Sequence, residues 1–368
     1  MRKRRVCHIT SVHVPEDVRI HIKECQSLEK AGFEVHLIAK RDSKLKDSKV
    51  ICHSINYETS GRILRFINSP REALKVAIEV DADIYHLHDP ELLLISKKLK
   101  NRGKIVIFDA HEDLPKQILT KHYIPKYFRR ILAFFIGKLE RHYLNYIGNL
   151  ITATKSIKKE LEDCVENSQV VNNYPLLSEF KGVGNKSFSE RNVFCYIGGI
   201  NEIRGCTELV QSFEDVNTRC LFAGPIETDY KNELEKQSAW KKIDYLGNVS
   251  RKKVSEILNN SIAGFVTFLP VPNHVEAQPN KMFEYMSAGL PVIASNFPLW
   301  KEIIEGNDCG ICIDPEKPKE IAKAMKYLMD NPDEAKRMGE NGRKAIMEKY
   351  NWEMESQKLI SYYNKLGQ

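Results

Sequence analysis

Short apolar runs that alternate with helix-like segments occur twice along this 368-residue chain. The runs in the first half span residues 6–10, 34–39, 50–55, 83–88, 104–110, 149–154 and 169–172. Those in the second half span residues 192–198, 219–224, 243–247, 263–270, 290–295 and 309–314. Alternation of this kind is typical of a parallel sheet covered by helices. We therefore predict an α/β chain with two such sheets.

The chain length fits about two domains. We predict an N-terminal domain over residues 1–177 and a second domain over 191–350, joined by a linker at 178–190 that is rich in Gly, Ser and Lys. Residues 332–367 read as helical, with breaks near Gly339 and Asn351. Residues 351–368 are predicted to form a helix that packs back on the first domain. Open parallel sheets bind ligands at the carboxyl ends of their strands, so two sheets that face one another would form a deep cleft.

Composition favours a soluble protein of a reducing compartment. Hydrophobic residues make up 42% and charged residues 29% of the chain, and no apolar run reaches the length of about 18 residues that spans a bilayer. The nine cysteines are odd in number and lie partly in apolar runs, which indicates free thiols and a cytoplasmic location. The net charge of +7 fits an acidic ligand, an anionic membrane surface or nucleic acid.

Residues 276–291 form the most informative segment, because they read as a loop followed by a helix with a defined start and stop. Pro279 suits a helix start, since its missing N–H is not needed there. Gly289 and Pro291 predict the helix end. The free N–H groups and positive dipole end of such a helix favour a diphosphate.

Four residues of this segment are candidate ligand contacts. Asn280 lies at the amide-rich helix start, and Lys281 adds a full charge in the first turn. Glu284 lies one turn further on, where it could accept hydrogen bonds from a ribose diol. Glu276 lies eight positions before Glu284, or about 12 Å if the intervening residues were helical, whereas a glycosidase carboxylate pair needs about 5–9.5 Å. This spacing favours two carboxylates that hold different ends of one ligand over surface residues of an ordinary helix.

The segment resembles the Glu-x7-Glu motif of the retaining family-4 glycosyltransferases, whose GT-B fold has two Rossmann-like parallel-sheet domains facing across a cleft. Further segments with a resemblance to the family are residues 87–90, 108–112, 173–175, 196–199 and 204–205, so the resemblance covers nearly the whole chain. It implies a retaining, hexosyltransferase-type reaction without a metal ion. It also implies no cofactor beyond the donor, a nucleotide-diphosphate sugar of the UDP or GDP type.

The resemblance assigns roles to individual residues. Glu284 matches the glutamate that binds the ribose, and Glu276 the one beside the donor sugar. Arg204 matches a cation that contacts the diphosphate, and His111 a histidine near the reaction centre. A phosphate oxygen can itself accept the acceptor's proton in such a reaction, so no protein base is assigned.

One departure concerns the donor-binding strand end. Gly198 and Gly199 match the opening of the nucleotide-binding domain, but many relatives have Gly-Arg at this place. One phosphate-binding cation is therefore missing, and we expect Arg204 and Lys281 together to replace it.

Several other residues have an unremarkable structural interpretation beside a functional one. His86 and His88 alternate along a strand and favour a strand-end pair that faces the ligand or packs beneath it, so no metal site is predicted. Asp17 and Arg19 either face the acceptor or pair with each other. Cys309 and Cys312 have metal-site spacing but lack a second pair nearby, which favours a structural role.

Residues 121–146 combine basic and apolar side chains. An amphipathic basic helix can lie on an anionic membrane, or bury its apolar side against the sheet. The residues alone support both interpretations equally well. Lipid-linked acceptors are common in the family, which favours the membrane and a peripheral position at the inner face of the plasma membrane.

We expect a glycosyltransferase that acts on a polysaccharide or lipid-linked acceptor. Two alternatives share the architecture, a nonhydrolysing nucleotide-sugar 2-epimerase and a catalytically inactive scaffold or binding protein. Nucleic-acid binding would need a stripe of basic residues with stacking aromatics. Residues 121–146 are its only candidate, and we expect no nucleic-acid partner.

Overall fold

The computed structural model describes residues 2–40, 48–56, 62–121, 124–180, 182–183 and 186–366, and the side chains of 62–65 lie outside the description. Residues 1–173 together with 352–368 form one compact unit, and residues 174–351 form a second. The chain therefore passes between the units at 173/174 and again at 351/352. The segment 178–190, which we predicted as a linker, belongs to the second unit, and its residues 181, 184 and 185 lie outside the described ranges.

The first unit contains a seven-stranded parallel sheet with the strand order β3-β2-β1-β4-β5-β6-β7. Its strands are β1 Arg5–Ile9, β2 Glu34–Lys40, β3 Ile51–Ile55, β4 Ile84–Leu87, β5 Ile105–Ala110, β6 Asn149–Thr152 and β7 Asn167–Val170. The seven apolar runs predicted for the first half are thus confirmed as strands. The order reverses between β1 and β4, and a reversal of this kind leaves a crevice at the carboxyl ends of the two strands.

Helices cover this sheet. They are α1 Gln26–Lys30, α2 Arg62–Val80, α3 Leu93–Lys100, α4 Leu114–Leu119, α5 Lys126–Ile147 and α6 Lys155–Leu161. A wider, π-helical segment, Val18–Cys25, precedes α1. Asp17 caps it, because its carboxylate accepts hydrogen bonds from the backbone amides of Arg19 and Ile20, both at 2.9 Å.

The second unit contains a six-stranded parallel sheet with the order β10-β9-β8-β11-β12-β13. Its strands are β8 Val193–Ile197, β9 Arg219–Ala223, β10 Ile243–Tyr245, β11 Ser261–Val266, β12 Val292–Ser295 and β13 Gly310–Ile313. All six runs predicted for the second half are strands. All residues of β11 are buried, as expected for a central parallel strand covered on both faces. The order reverses between β8 and β11.

The helices of the second unit are α7 Cys206–Ser212, α8 Thr228–Glu235, α9 Arg251–Asn260, α10 Asn280–Ser287, α11 Pro298–Ile304, α12 Pro318–Asp330 and α13 Pro332–Glu348. The Gly-Leu-Pro stop is confirmed, since α10 ends before Gly289, which has a φ of +69°. Gly339 does not interrupt α13. Its missing side chain instead allows close packing, because a Cβ atom there would lie 2.2 Å from the carbonyl oxygen of Gly289.

The last helix, α14 Trp352–Lys365, belongs to the first unit. The indole of Trp352 donates to the hydroxyl of Ser27 at 2.9 Å, and Glu355 accepts from the backbone amide of Asn172 at 2.8 Å. The hydroxyl of Tyr363 lies 2.7 Å from Nδ1 of His86 in β4. These polar contacts fix α14 against the sheet of the first unit.

No helix within the described ranges combines the length and the apolar character needed to cross a membrane. All nine cysteines are free thiols, and seven of them are buried.

Candidate active site

The residues predicted to bind a diphosphate meet at the carboxyl ends of β8 and β11, where the strand order of the second sheet reverses. Gly198 and Gly199 follow β8 directly. A loop leads from β11 to α10, whose first turn carries Lys281. A Cβ atom added at Gly198 would lie 3.2 Å from Nζ of Lys281 and 3.7 Å from Nη1 of Arg204. The structure therefore brings both cations to the glycine that begins this edge of the sheet.

Lys281 is buried, with 7% of its surface exposed, and its Nζ has no hydrogen-bond partner among the described residues. The ammonium lies 3.6 Å from the centroid of the Tyr196 ring and 5.3 Å from that of Phe268. Burial, followed by the nearby charge of Arg204, lowers the pKa of Lys281 to about 7. A buried cation without an anionic partner destabilises the folded protein. Binding of an anion beside Lys281 would remove this free-energy penalty.

Arg204 is held beside the same strand end. Its guanidinium donates to the carbonyl oxygen of Gly199 at 3.0 Å and lies 5.4 Å from the Phe268 ring centroid. The backbone amide of Arg204 donates to the side chain of Asn201 at 3.1 Å. A Cβ atom at Gly199 would lie 2.8 Å from Nη1 of Arg204. Glycine at 199 thus leaves the room that the guanidinium occupies.

Glu284 lies on α10, one turn after Lys281, and its carboxylate pairs with Arg251 at 3.2 Å. Arg251 also pairs with Glu179 at 3.1 Å, so the guanidinium bridges two carboxylates. The side chain of Glu284 is 20% exposed, which leaves it accessible to a ligand. Asn280 is exposed at the first position of α10.

Glu276 is exposed in the loop between β11 and α10. Two anchors hold this loop. The indole of Trp300 donates to the carbonyl oxygen of Ala277 at 2.7 Å, and buried His274 contacts the carbonyl oxygen of Leu269 at 3.3 Å. Burial lowers the pKa of His274 to about 4, so the imidazole is neutral near pH 7. The neutral ring adds no charge near the two cations.

Tyr285 connects α10 to β8. Its hydroxyl accepts a hydrogen bond from the backbone amide of Ile197 at 2.9 Å, directly before Gly198. The ring lies over Gly264 of β11, where a Cβ atom would come within 2.5 Å of it. These contacts hold α10 against β8 and β11.

His111 belongs to the first unit and lies just after β5. Its Nε2 is 3.1 Å from Oδ2 of Asp109 and 3.2 Å from Nδ1 of His88. Nη2 of Arg19 lies 3.0 Å from both carboxylate oxygens of Asp109, which is fully buried. Although burial opposes ionisation, Arg19 and His111 hold the pKa of Asp109 well below its usual range. An ionised Asp109 thus orients the imidazole of His111.

The guanidinium of Arg19 therefore pairs with Asp109 and not with Asp17. The carboxylate of Asp17 instead contacts Nδ1 of His13 at 3.0 Å. Sequence reasoning missed the roles of Asp109, Arg251 and Tyr285. Asp109 had a weak signal, because residues two apart on a strand share a face and Asp109 lies two before His111. Arg251 and Tyr285 had none, since their partners are 33 and 88 positions away.

Comparison with known proteins matches each half of the chain to a glycosyltransferase domain. Residues 22–173 match the family described as Glycosyltransferase Family 4, and residues 179–345 match Glycosyl transferases group 1. Neither match alone covers half of the chain, but together they support a glycosyltransferase of the GT-B type. The Gly198, Arg204 and Lys281 constellation lies in the group 1 part of this GT-B protein, and His111 lies in the family 4 part.

Related sequences carry glycosyltransferase names. The capsular polysaccharide biosynthesis glycosyltransferase CapM of Staphylococcus aureus is 27% identical over 49% of this chain and 47% of that protein. A glycosyltransferase of Haemophilus influenzae is 23% identical over 88% of this chain and 90% of that protein. The alignment with CapM thus spans about half of its length.

Solved structures share the fold of this GT-B protein over nearly its full length. Sucrose-phosphate synthase from Thermosynechococcus elongatus superposes with a TM-score of 0.81 at 14% identity, covering 99% of both chains. HepE from Anabaena in complex with UDP gives a TM-score of 0.74 at 12% identity, covering 99% of this chain and 100% of HepE. At these identities the likeness establishes the two-domain Rossmann-like GT-B fold.

Proposed function

We propose that the protein transfers a sugar from a nucleotide-diphosphate sugar to a polysaccharide or lipid-linked acceptor, with retention of configuration and without a metal ion in the transfer step. The observation that carries this proposal is the buried ammonium of Lys281, which has no hydrogen-bond partner among the residues that the structure describes and lies with Arg204 at the end of β8. The solved complex of HepE with UDP supports a uridine diphosphate donor for a protein of this fold.

The charge balance of the reaction fits these residues. The bond between the anomeric carbon and the phosphate oxygen breaks, and negative charge develops on the leaving diphosphate. Lys281, Arg204 and the amide end of α10, around Asn280, stabilise that charge in the transition state. The acceptor oxygen forms the new bond to the anomeric carbon, and its proton passes to a phosphate oxygen.

The remaining residues hold the other parts of the donor. Glu284 accepts hydrogen bonds from the ribose hydroxyls, and Arg251 keeps its carboxylate in place. We assign His111 and Glu276 to the donor sugar, on the basis of the family resemblance. No further cofactor is needed for this chemistry.

Calorimetric titration with UDP and GDP, combined with a transfer assay, tests the proposal. We expect Arg204→Ala and Glu284→Ala to weaken nucleotide binding about 10–100-fold, since each removes a charge-assisted contact. His111→Ala should retain nucleotide binding but slow transfer. Lys252→Met removes an exposed lysine of α9 and serves as the control with unchanged binding. Failure of the wild-type protein to bind either nucleotide would overturn the proposal.

The two alternative functions give different results in the same assays. A 2-epimerase would change the donor sugar without any acceptor, so incubation with donor alone separates it from a transferase. An inactive scaffold would bind nucleotide yet turn over no donor. The match of residues 179–345 to the group 1 glycosyltransferase domain favours the transferase.

We propose in addition that α5 lies on an anionic membrane, which places the acceptor at the cytoplasmic face of the plasma membrane. The residues of α5 that are buried, Ala133, Glu140, Leu144 and Ile147, share one side of the helix. The opposite side carries large exposed apolar residues, which are Tyr127, Phe128, Ile131, Leu132, Phe134, Phe135 and Leu139. Exposed Lys126, Arg130 and Lys138 accompany them. Apolar side chains among basic ones are typical of an interfacial helix.

Sedimentation with lipid vesicles tests this surface. We expect binding to vesicles that contain phosphatidylglycerol and weak binding to pure phosphatidylcholine. Phe128→Ser with Phe135→Ser should lower the bound fraction about tenfold or more, while Ile78→Ser, at an exposed position of α2, should leave it unchanged. Equal binding of the double variant and the wild-type protein would contradict the assignment.

A further inference from the structure

Three histidines and one glutamate meet inside the first unit, below the edge of the sheet that carries His111. His8 belongs to β1, His86 to β4, His88 follows β4 directly, and Glu24 belongs to the π-helical segment. All four side chains are completely buried. Oε2 of Glu24 lies 3.8 Å from Nδ1 of His8, 3.9 Å from Nδ1 of His86 and 3.9 Å from Nε2 of His88. One carboxylate oxygen thus faces three imidazole nitrogens at nearly equal distances.

These distances are too long for hydrogen bonds, which need about 3.2 Å or less between nitrogen and oxygen. Both carboxylate oxygens of Glu24 have no hydrogen-bond partner among the described residues. The nitrogens that face them do have partners, since Nδ1 of His8 and Nε2 of His88 lie 2.9 Å apart. Nε of Arg19 approaches Oε1 of Glu24 to 3.1 Å, yet without hydrogen-bond alignment. Buried polar atoms are nearly always satisfied in native proteins, so the unpartnered carboxylate of Glu24, which faces three imidazole nitrogens, indicates a missing occupant.

The charges give a second, independent reason. Glu24 and Asp109 are both fully buried, and Arg19, which contacts both, is the buried arginine beside them. Arg19 balances only one of the two carboxylates, and burial together with the nearby Asp109 carboxylate raises the pKa of Glu24 well above its usual range. A buried carboxylate without compensation is expensive, and a cation among the four side chains would supply the charge.

We propose that His8, His86, His88 and Glu24 bind one divalent transition-metal ion of the zinc type. Two ligands of a tetrahedral zinc ion with bonds of about 2.0–2.1 Å lie roughly 3.3 Å apart. The nitrogens Nδ1 of His8 and Nε2 of His88 are 2.9 Å apart, and Glu24 Oε2 is 3.8–3.9 Å from the nitrogens, so small side-chain movements bring all four atoms to one ion. Imidazole and carboxylate ligands in a closed site suit zinc.

In known metal sites the outer nitrogen of a ligating histidine is usually held by a fixed polar partner. Nδ1 of His88 lies 3.6 Å from Oδ2 of Asp109 and 3.2 Å from Nε2 of His111. Two contacts oppose the ion, because Nδ1 of His8 and Nε2 of His88 lie at a hydrogen-bond distance of 2.9 Å and the hydroxyl of Tyr363 lies 2.7 Å from Nδ1 of His86. Binding of the ion exchanges these contacts for metal bonds. Since the site is closed to solvent, its ion is structural and takes no part in sugar transfer.

Metal titration of the chelator-treated full chain, without a histidine tag, tests the site. We expect one equivalent of Co²⁺ to produce the visible absorption of a tetrahedral ion, and Zn²⁺ to displace it and raise the unfolding temperature. Glu24→Gln and His8→Ala should weaken binding at least tenfold and abolish the zinc-dependent rise. Tyr363→Phe frees Nδ1 of His86 and should strengthen binding.

Two controls locate the ion. His53→Ala disrupts the other close histidine pair, in which Nδ1 of His36 lies 2.8 Å from Nε2 of His53, and should leave binding unchanged. His111→Ala should also retain it. Loss of the metal in His111→Ala would place the ion at the neighbouring His88, Asp109 and His111 group and overturn the assignment. Absence of both the Co²⁺ absorption and the temperature shift in the wild-type protein would overturn the proposal. It would mean that the four side chains bind no metal ion and only share protons with one another.

Discussion

The ammonium of Lys281 lies 3.6 Å from the centroid of the Tyr196 ring, and no anion within the described ranges pairs with it. The ring face attracts the cation, but it does not replace the hydration that burial removes. In the absence of ligand, the uncompensated charge of Lys281 therefore destabilises the first turn of α10. Under the proposed function, this arrangement lowers the stability of the free protein and raises its affinity for the diphosphate.

Lys281→Met should raise the stability of the free protein and weaken diphosphate binding. The pKa of Lys281 is lowered to about 7 in the folded protein from 10.5. The folded state thus binds fewer protons than the unfolded state between these values, and the cost of the buried charge shrinks as the pH rises from 7 to 10.5. We expect a gain of about 1–3 kcal/mol near pH 7, larger at pH 6 than at pH 9.

Thermal unfolding of the wild-type protein and of Lys281→Met at several pH values measures this gain in stability. Lys252→Met, on the exposed side of α9, is the matched control. A loss of stability in Lys281→Met at pH 6 would contradict the prediction.

Gly199→Ala should weaken diphosphate binding while leaving stability nearly unchanged. The added Cβ would lie 2.8 Å from Nη1 of Arg204, the far end of a flexible side chain, so the guanidinium moves at little cost. We expect several-fold weaker binding of UDP or GDP and a change in the free energy of unfolding within about 0.5 kcal/mol. Titration with the nucleoside, which carries no phosphate, should show no difference between variant and wild type. Equal diphosphate affinity in both would refute the role of Arg204.

Tyr285→Phe should destabilise the second unit. The substitution leaves the backbone amide of Ile197 without its 2.9 Å acceptor, and a buried donor without a partner costs about 1–3 kcal/mol. Denaturant unfolding gives the free energy directly. The matched variant Tyr327→Phe removes a hydroxyl from an exposed side chain of α12 and should change the free energy by less than about 0.5 kcal/mol.

Glu140→Gln should stabilise the first unit at alkaline pH and have little effect near pH 4. Burial, followed by the charge of Asp113, raises the pKa of Glu140 to about 7 from 4.5. The folded state holds a proton that the unfolded state has released, so wild-type stability falls as the pH rises from 4.5 to 7. The variant removes that decline. The unfolding temperatures of the variant and the wild-type protein, measured from pH 4 to 8.5, should diverge above pH 4.5. Parallel curves for the two proteins would rule out a buried proton at Glu140.

The sequence alone determined the elements of this protein. All thirteen strands appear where short apolar runs predicted them, and α10 begins after Pro279 and ends before Gly289. Signals of this kind lie within a few neighbouring residues, since apolar runs and helix stops act on the local backbone. The prediction from sequence was wrong at one glycine, because glycine can either end a helix or allow close packing within one. Gly339 was expected to break a helix, yet it serves close packing inside α13.

Only the tertiary structure decided which side chains meet. Arg251 pairs with Glu284 across 33 positions, Arg19 with Asp109 across 90, and His8 approaches His88 across 80. No local pattern reports such distances, because parallel strands that are neighbours in the sheet are separated by whole helices along the chain. That packing buries Lys281 without a hydrogen-bond partner in the described part of the chain, and it gathers three histidines around Glu24. Charge and residue type were visible in the sequence, while their environment was not.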